Sequence, residues 1–160
     1  MMNITIICVG KLKERFYADA VKEYEKRLSS CCRLRIVELP EERLPEDPSA
    51  AQIEQALAKE RDAVRSRIPR NARVIALCIE GEHWSSEEFA GKIQDWANSG
   101  FSHLVFLIGS SYGMHPELKK QADCRLSMSD MTFPHHLARV MLLEQVYRAF
   151  KINEGSKYHK

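Results

Sequence analysis

Two nearly unbroken apolar runs, Arg73–Ile79 and Ser102–Ile108, constrain the fold most. A strand without polar alternation must be covered on both faces, which is the mark of a buried parallel sheet flanked by helices. The segments around them fit that frame. Asn3–Val9 is a short β-branched run ending at Gly10, and Arg33–Leu39 alternates Leu34, Ile36 and Leu39 with polar neighbours, so both read as strands. Cys124–Met128 reads as a short last strand.

Between them lie stretches with helical spacing. Leu12–Leu28 places Phe16, Ala20, Val21, Tyr24 and Leu28 on one face, and Ala50–Ile68 places Ile53, Leu57, Val64 and Ile68 on one face with its charges solvated. Ser85 with Glu88 three residues on is a capping box; the helix it opens runs to about Asn98 and stops at Gly100. Pro116–Ala122 and Leu137–Phe150 complete the set, with His136 near the N-cap position of the latter. Pro40–Pro48, with three prolines and four acidic residues, is an exposed loop. Strand–helix alternation over 160 residues, with no repeat or linker, predicts a single α/β domain, 1–160, with a mostly parallel sheet.

Bulk properties exclude several classes. No apolar run approaches the ~20 residues of a membrane span, and Met1–Thr5 lacks the basic and apolar regions of a signal peptide. The five cysteines include adjacent Cys31 and Cys32 and no Cys-x-x-Cys pair, so the expectation is a reducing cytoplasm and no metal. A formal charge of +2 says nothing about nucleic acid. Neither a Gly-x-Gly-x-x-Gly strand–helix turn nor a P-loop, His-Glu-x-x-His or Gly-x-Ser-x-Gly motif is present.

What remains is concentrated in the last third. Gly109 and Gly113 sit in a loop after a buried strand, where glycine either lets backbone approach a ligand or closes an ordinary turn. Loops at the carboxyl ends of strands are where open α/β sheets bind ligands. The pair His135 and His136 lacks the partner ligands of a metal site, and His83, His103 and His115 are scattered and read as incidental. The helix Leu137–Phe150 is apolar nearly all round, so it is covered on more than one side, by a second subunit or by its own chain. The terminal Tyr158-His159-Lys160 brings together groups suited to stacking on a base and pairing with phosphate; the bland reading is a frayed end.

Taken together, Ile108-Gly109-Ser110-Ser111-Tyr112-Gly113, Leu126-Ser127 through Met131-Thr132-Phe133-Pro134-His135, Arg139-Val140, Glu144 through Phe150 and Tyr158-His159-Lys160 closely resemble the ribosomal large subunit methyltransferase H family, small SPOUT-class enzymes that methylate N3 of a pseudouridine in 23S rRNA. Val9-Gly10-Lys11-Leu12-Lys13-Glu14 and Tyr24-Glu25-Lys26-Arg27-Leu28 resemble that family too. The resemblance implies an α/β sheet with a C-terminal trefoil knot, a topology that is otherwise rare. It implies a cytoplasmic homodimer, S-adenosylmethionine as methyl donor (leaving S-adenosylhomocysteine), and 23S rRNA in the assembled ribosome as substrate. Its cofactor positions map onto Leu77, Gly109, Met128, Ser129, Asp130, Met131, Thr132 and Phe133. Tyr158 and His159 are then the expected positioning or deprotonating groups, Arg139 and Lys160 the phosphate grips, and Arg148 and His135 further RNA contacts.

The family commonly has Gly-Gly where this chain has Gly109-Ser110. If Ser110 must take positive φ, cofactor binding weakens. An inactive SPOUT-like RNA-binding protein and a flavodoxin-like nucleotide-binding module are the competing readings.

Overall fold

The computed structural model describes residues 1–160. In chain order the elements are β1 (Asn3–Val9), α1 (Arg15–Leu28), β2 (Arg33–Leu39), α2 (Ala50–Arg65), β3 (Arg73–His83), α3 (Ser86–Asn98), β4 (His103–Ile108), α4 (Pro116–Gln121), β5 (Cys124–Ser127) and α5 (His135–Asn153). The five strands form one sheet in the order β2-β1-β4-β3-β5, and every pairing is parallel.

The period of two along a strand divides the core. Ile4, Ile6 and Cys8 of β1 join Phe106 of β4 on one face, against Val21 and Leu28 of α1, Phe89, Ile93 and Trp96 of α3, and Leu142, Leu143 and Val146 of α5. Ile7 and Val9 join Val105 and Leu107 on the other, against Val64 of α2 and Leu118 of α4. Burial inside the first layer pushes the Cys8 thiol up to about 12, so it is an inert core group.

Local signals set several boundaries. Ser49 and Ser85 each close a capping box, with Gln52 and Glu88, and so fix the starts of α2 and α3. Gly100, at φ +91, ends α3 as its position predicts. Helix α1 starts at Arg15 and not at Leu12, α2 ends at Arg65 and not at Ile68, and α5 runs on past Phe150 to Asn153; two further differences from the sequence reading bear on the site. Helix α5 starts at His135, with Pro134 at its N-cap and no capping side chain, so His136 is inside the helix. Strand β3 continues past Ile79 to His83: Leu126 of β5 faces Leu77 and then Glu82, so Cys78–Gly81 bulge out of the ladder. Gly81 permits this, because a Cβ there would lie 2.8 Å from the Arg125 and Leu126 backbone.

After β5, at the sheet edge, the chain returns across the carboxyl ends of the central strands. Arg139 then ties the start of α5 to the ends of β1 and β2, donating to the Gly10 carbonyl at 3.0 Å and to Glu38 at 2.7 Å. The apolar circumference of α5 is largely met by its own chain: Val140, Tyr147, Phe150 and Ile152 pack against the core formed with α1 and α3. Leu137 and Met141 are half-buried and belong to neither core cluster.

Candidate active site

The loops after β4 and β5 and the bulge in β3 enclose a cavity of about 840 Å³ at the carboxyl side of the sheet. Its walls are Leu77–Glu80 from β3, Ile108–Ser111 with Gly113 and Met114 after β4, Met128–Ser129 and Met131–Pro134 after β5, and His135 and Ala138 at the start of α5. Bulges beside sites re-aim side chains, and here the bulge turns Cys78, Ile79 and Glu80 toward the cavity. These three were missed in the sequence. The available signal was Gly81 directly after an apolar run, a position that marks a bulge.

The glycine loop is held by its own backbone. Ser110 N–H donates to Gly113 O at 3.0 Å and Gly113 N–H donates to Ser110 O at 2.8 Å. A Cβ on Gly109 would lie 2.3 Å from Gly113 O, and Gly113 has φ +86, so both glycines are required by the turn itself. The only non-glycine residue at positive φ is Asn71. Ser110 therefore bears no such strain, and its hydroxyl faces Gly113 O at 3.4 Å. Glu41 closes the loop from outside, accepting from the Ser111 N–H at 3.2 Å and its hydroxyl at 2.6 Å.

Of the expected cofactor residues, Leu77, Gly109, Met128, Ser129, Met131, Thr132 and Phe133 all line the cavity. Asp130 does not: its carboxylate is exposed, 3.2 Å from His83 Nε2. His135 lines the cavity and its Nε2 has no hydrogen-bond partner. Burial, then the neighbouring His136, push its pKa below the ordinary histidine value, so it is a neutral ring at pH 7.

The tail lies elsewhere. The Tyr158 hydroxyl donates to Glu144 at 3.0 Å, beside the Tyr24 hydroxyl, which donates to the same carboxylate at 2.6 Å. His159 sits between Glu87 (Nε2, 2.6 Å) and Arg148 (Nδ1, 3.0 Å), and Arg148 also pairs with Glu144 at 2.7 Å and lies over the Tyr158 ring. The structure thus brings Tyr158, His159 and Arg148 together on α3 and α5, and none of them, nor Lys160, lines the cavity. Burial and the Glu144 carboxylate raise the Tyr158 phenol above its ordinary value, so it is a donor and not a base. Arg139 is also corrected: at 1% exposure, with its charge on Glu38, it is an internal strut and not a phosphate grip. His115, read as incidental, is buried; its Nδ1 accepts from Glu117 N–H to cap α4, and its Nε2 lies 2.9 Å from Glu54.

The family model "Predicted SPOUT methyltransferase" matches residues 2–159. The chain belongs to the SPOUT methyltransferase family. Relatives named Ribosomal RNA large subunit methyltransferase H align over 99% of this chain and 100% of their own length: 50% identical in Bifidobacterium adolescentis, 48% in Clostridium perfringens and 46% in Streptococcus uberis.

Members of a methyltransferase family need a methyl donor, and the cavity fits S-adenosylmethionine on its own features. Leu77, Ile79, Leu126, Met128 and Phe133 give apolar walls for an adenine ring, while Ser110, Ser111, Ser129 and Thr132 supply hydroxyls. Met131 is 73% exposed at this cavity, a large apolar side chain that a bound ring would cover. Lys119 and Glu80 pair at 2.6 Å among the lining residues, which leaves no unpaired cation of the cavity to repel a sulfonium.

Proposed function

We propose that this protein transfers a methyl group from S-adenosylmethionine to N3 of a pseudouridine in 23S rRNA of the large ribosomal subunit. It acts in the cytoplasm, on the assembled ribosome, as a homodimer. The observation that carries the reading is the 840 Å³ cavity at the carboxyl ends of β3, β4 and β5, in a chain whose full-length relatives bear an rRNA methyltransferase name.

In this reading Leu77, Met131 and Phe133 flank the adenine, and the backbone of Gly109 and of Met128–Phe133 supplies donors and acceptors around it. Asp130, at the edge of that loop, holds its shape through His83. When bound, S-adenosylmethionine supplies a methyl group on a sulfonium that is already a good leaving group, so the reaction calls for no metal. The chain's task is alignment, which accounts for much of the acceleration in a well-oriented displacement. N3 of the base must also lose its proton as the new N–C bond forms. His159 is the acceptor in this proposal. Tyr158, which keeps its own proton, orients the base, and Lys160 meets phosphate. His135 contacts the RNA from the cavity wall, while Arg148 holds the tail.

Within one protomer no tail residue lines the cavity, so these roles require the tail to leave α3 or to serve a second copy. Leu137 and Met141, outside both core clusters, are the contacts proposed for that copy. The knot implied by the family resemblance accompanies this reading, with the return path of the chain into α5 as its support. Ser110 lends nothing to the inactive alternative, since it carries no positive φ.

The test is incubation with radiolabelled S-adenosylmethionine and ribosomes lacking the modification, followed by nuclease digestion and mass spectrometry. Label on 3-methylpseudouridine is expected. Cofactor binding without label on any nucleotide would refute the proposal.

A further inference from the structure

A second cavity, of about 990 Å³, opens beside the first at the carboxyl ends of β1, β2 and β4. Ser111, Pro134 and His135 line both, so one thin wall separates them. The place is significant in the sheet order. From β1 the chain moves outward to β2 through α1 on one face, whereas from β4 it moves the other way through α4 on the opposite face. The crevice between β1 and β4 is therefore the topological switch point, where open α/β sheets bind ligands. The methyl-donor cavity lies to one side of it, over β3 and β5.

The lining has a particular chemistry. Phe16 is 65% exposed and Tyr112 is 45% exposed, and both face this cavity. Tyr17 lies against Phe16 with ring centroids 4.3 Å apart and edge-on to His136 at 6.2 Å, so the aromatic surface is continuous. Lys11, Lys13 and Arg43 are exposed on the lining and make no ion pair. Two of the three carboxylates are committed: Glu41 to Ser111, and Glu14 to His136 at 3.4 Å. Free cations interleaved with exposed aromatic faces match single-stranded nucleic acid, whose phosphates follow the charges and whose bases stack on the rings.

We infer that this second cavity is the RNA subsite, holding unpaired nucleotides next to the target base, with bases on Phe16 and Tyr112 and phosphates at Lys11, Lys13 and Arg43. The inference rests on the rRNA methyltransferase reading above. It supplies a grip on the strand one wall away from the methyl donor. A base that is to react must be unstacked, and stacking its neighbours on these rings holds the strand open.

The test uses the full-length protein, ribosomes lacking the modification and labelled S-adenosylmethionine. The variants are Phe16→Ala, a combined Lys13→Ala and Arg43→Ala, and Lys59→Ala as an exposed cation outside the cavity lining. Loss of one stacking ring costs a factor of about 5–150. The expected result for Phe16→Ala and for the double variant is a KM for ribosomes raised about tenfold or more, with kcat within about threefold and S-adenosylmethionine affinity unchanged. The double variant should also show a shallower dependence of KM on salt, and Lys59→Ala should match the wild type. Wild-type KM values in the cavity variants, while the wild-type protein methylates normally, would overturn the inference alone. A raised KM with an unaltered salt dependence in the double variant would overturn RNA as the occupant. No methyl transfer by the wild-type protein would overturn the functional reading and this inference with it.

Discussion

Replacing Arg139 by methionine keeps a long, flexible stem and removes the charge. The guanidinium is 1% exposed, donates to Glu38 at 2.7 Å and to the Gly10 carbonyl at 3.0 Å, and leaves its Nε without a partner. The variant therefore strips Glu38 of its cation and leaves a carbonyl at the end of β1 unpaired. Removing one partner of a fully buried pair costs about 3–5 kcal/mol. Two features reduce that here: the Glu38 side chain is 34% exposed, and the Leu12 N–H still donates to it at 3.1 Å. Losing the Gly10 bond adds about 1 kcal/mol, and burying the thioether in place of an incompletely bonded guanidinium returns a part. The net expectation is a loss of about 2–4 kcal/mol, or roughly 5–15 °C in Tm for a domain of this size.

The assay is urea unfolding at one fixed protein concentration, which holds any association constant between variants. The double variant Arg139→Met with Glu38→Gln should recover about half the loss, because neither charge is then stranded. The pH dependence has a definite sign. Burial raises the Glu38 pKa, but the Arg139 and Leu12 hydrogen bonds and the Arg139 charge outweigh it and hold the carboxyl below its ordinary value. A depressed carboxylate stabilises the fold fully above its unfolded pKa, about 4.3, and that contribution disappears as pH falls through the folded value. The gap between wild type and Arg139→Met should therefore narrow below about pH 4. A loss under about 1 kcal/mol, accompanied by collapse of ribosome methylation, would refute the strut and return Arg139 to the RNA.

Gly109→Ala drives a Cβ to 2.3 Å from Gly113 O, backbone against backbone, so calorimetry should record at least about a tenfold loss of S-adenosylmethionine affinity. Ser110→Gly relieves no positive φ, and the same titration should stay within about twofold of the wild type. His135 has its pKa lowered by burial and then by His136. Its unfolded form takes a proton at about pH 6.5 while the folded form resists, so this contribution to stability is present above that pH and lost as pH falls; His135→Gln should flatten the urea midpoint between pH 5 and 6.5. His159→Ala should lower methyl transfer by about 100-fold or more with cofactor affinity nearly unchanged; equal losses in both would remove His159 from the chemistry.

How much of this was legible in the sequence depends on how local each cause is. The runs Arg73–Ile79 and Ser102–Ile108, the Ser85–Glu88 box and the stop at Gly100 are written in neighbouring residues, and each element formed where it was read. The turn after β4 was legible because Gly109 and Gly113 close it on themselves. Strand β3 beyond Gly81 was not, since Glu82 and His83 join β5 through backbone and show no apolar period. Arg139 was expected to grip phosphate on the strength of the resemblance; its burial depends on Glu38, 101 positions away, which no spacing reveals. The tail's partners Glu87 and Glu144 are hidden for the same reason.

The strut also explains why the two cavities meet where they do. Arg139 lies one helical turn after His135, and its hold on the Gly10 carbonyl seats the first turn of α5 on the end of β1. There the Nε2 atoms of His135 and His136 lie 3.2 and 3.6 Å from where a Cβ on Gly10 would stand, and Gly10 itself is at φ +110. A side chain at that point would push the histidine wall toward the cavity over β3 and β5 or narrow the crevice between β1 and β4. The bare backbone of Gly10 and the buried cation four residues into the helix thus fix one boundary from both sides. The proposed donor and strand sites share that boundary, so its position sets the distance between them. Arg139 holds it from the buried side, with its charge on Glu38.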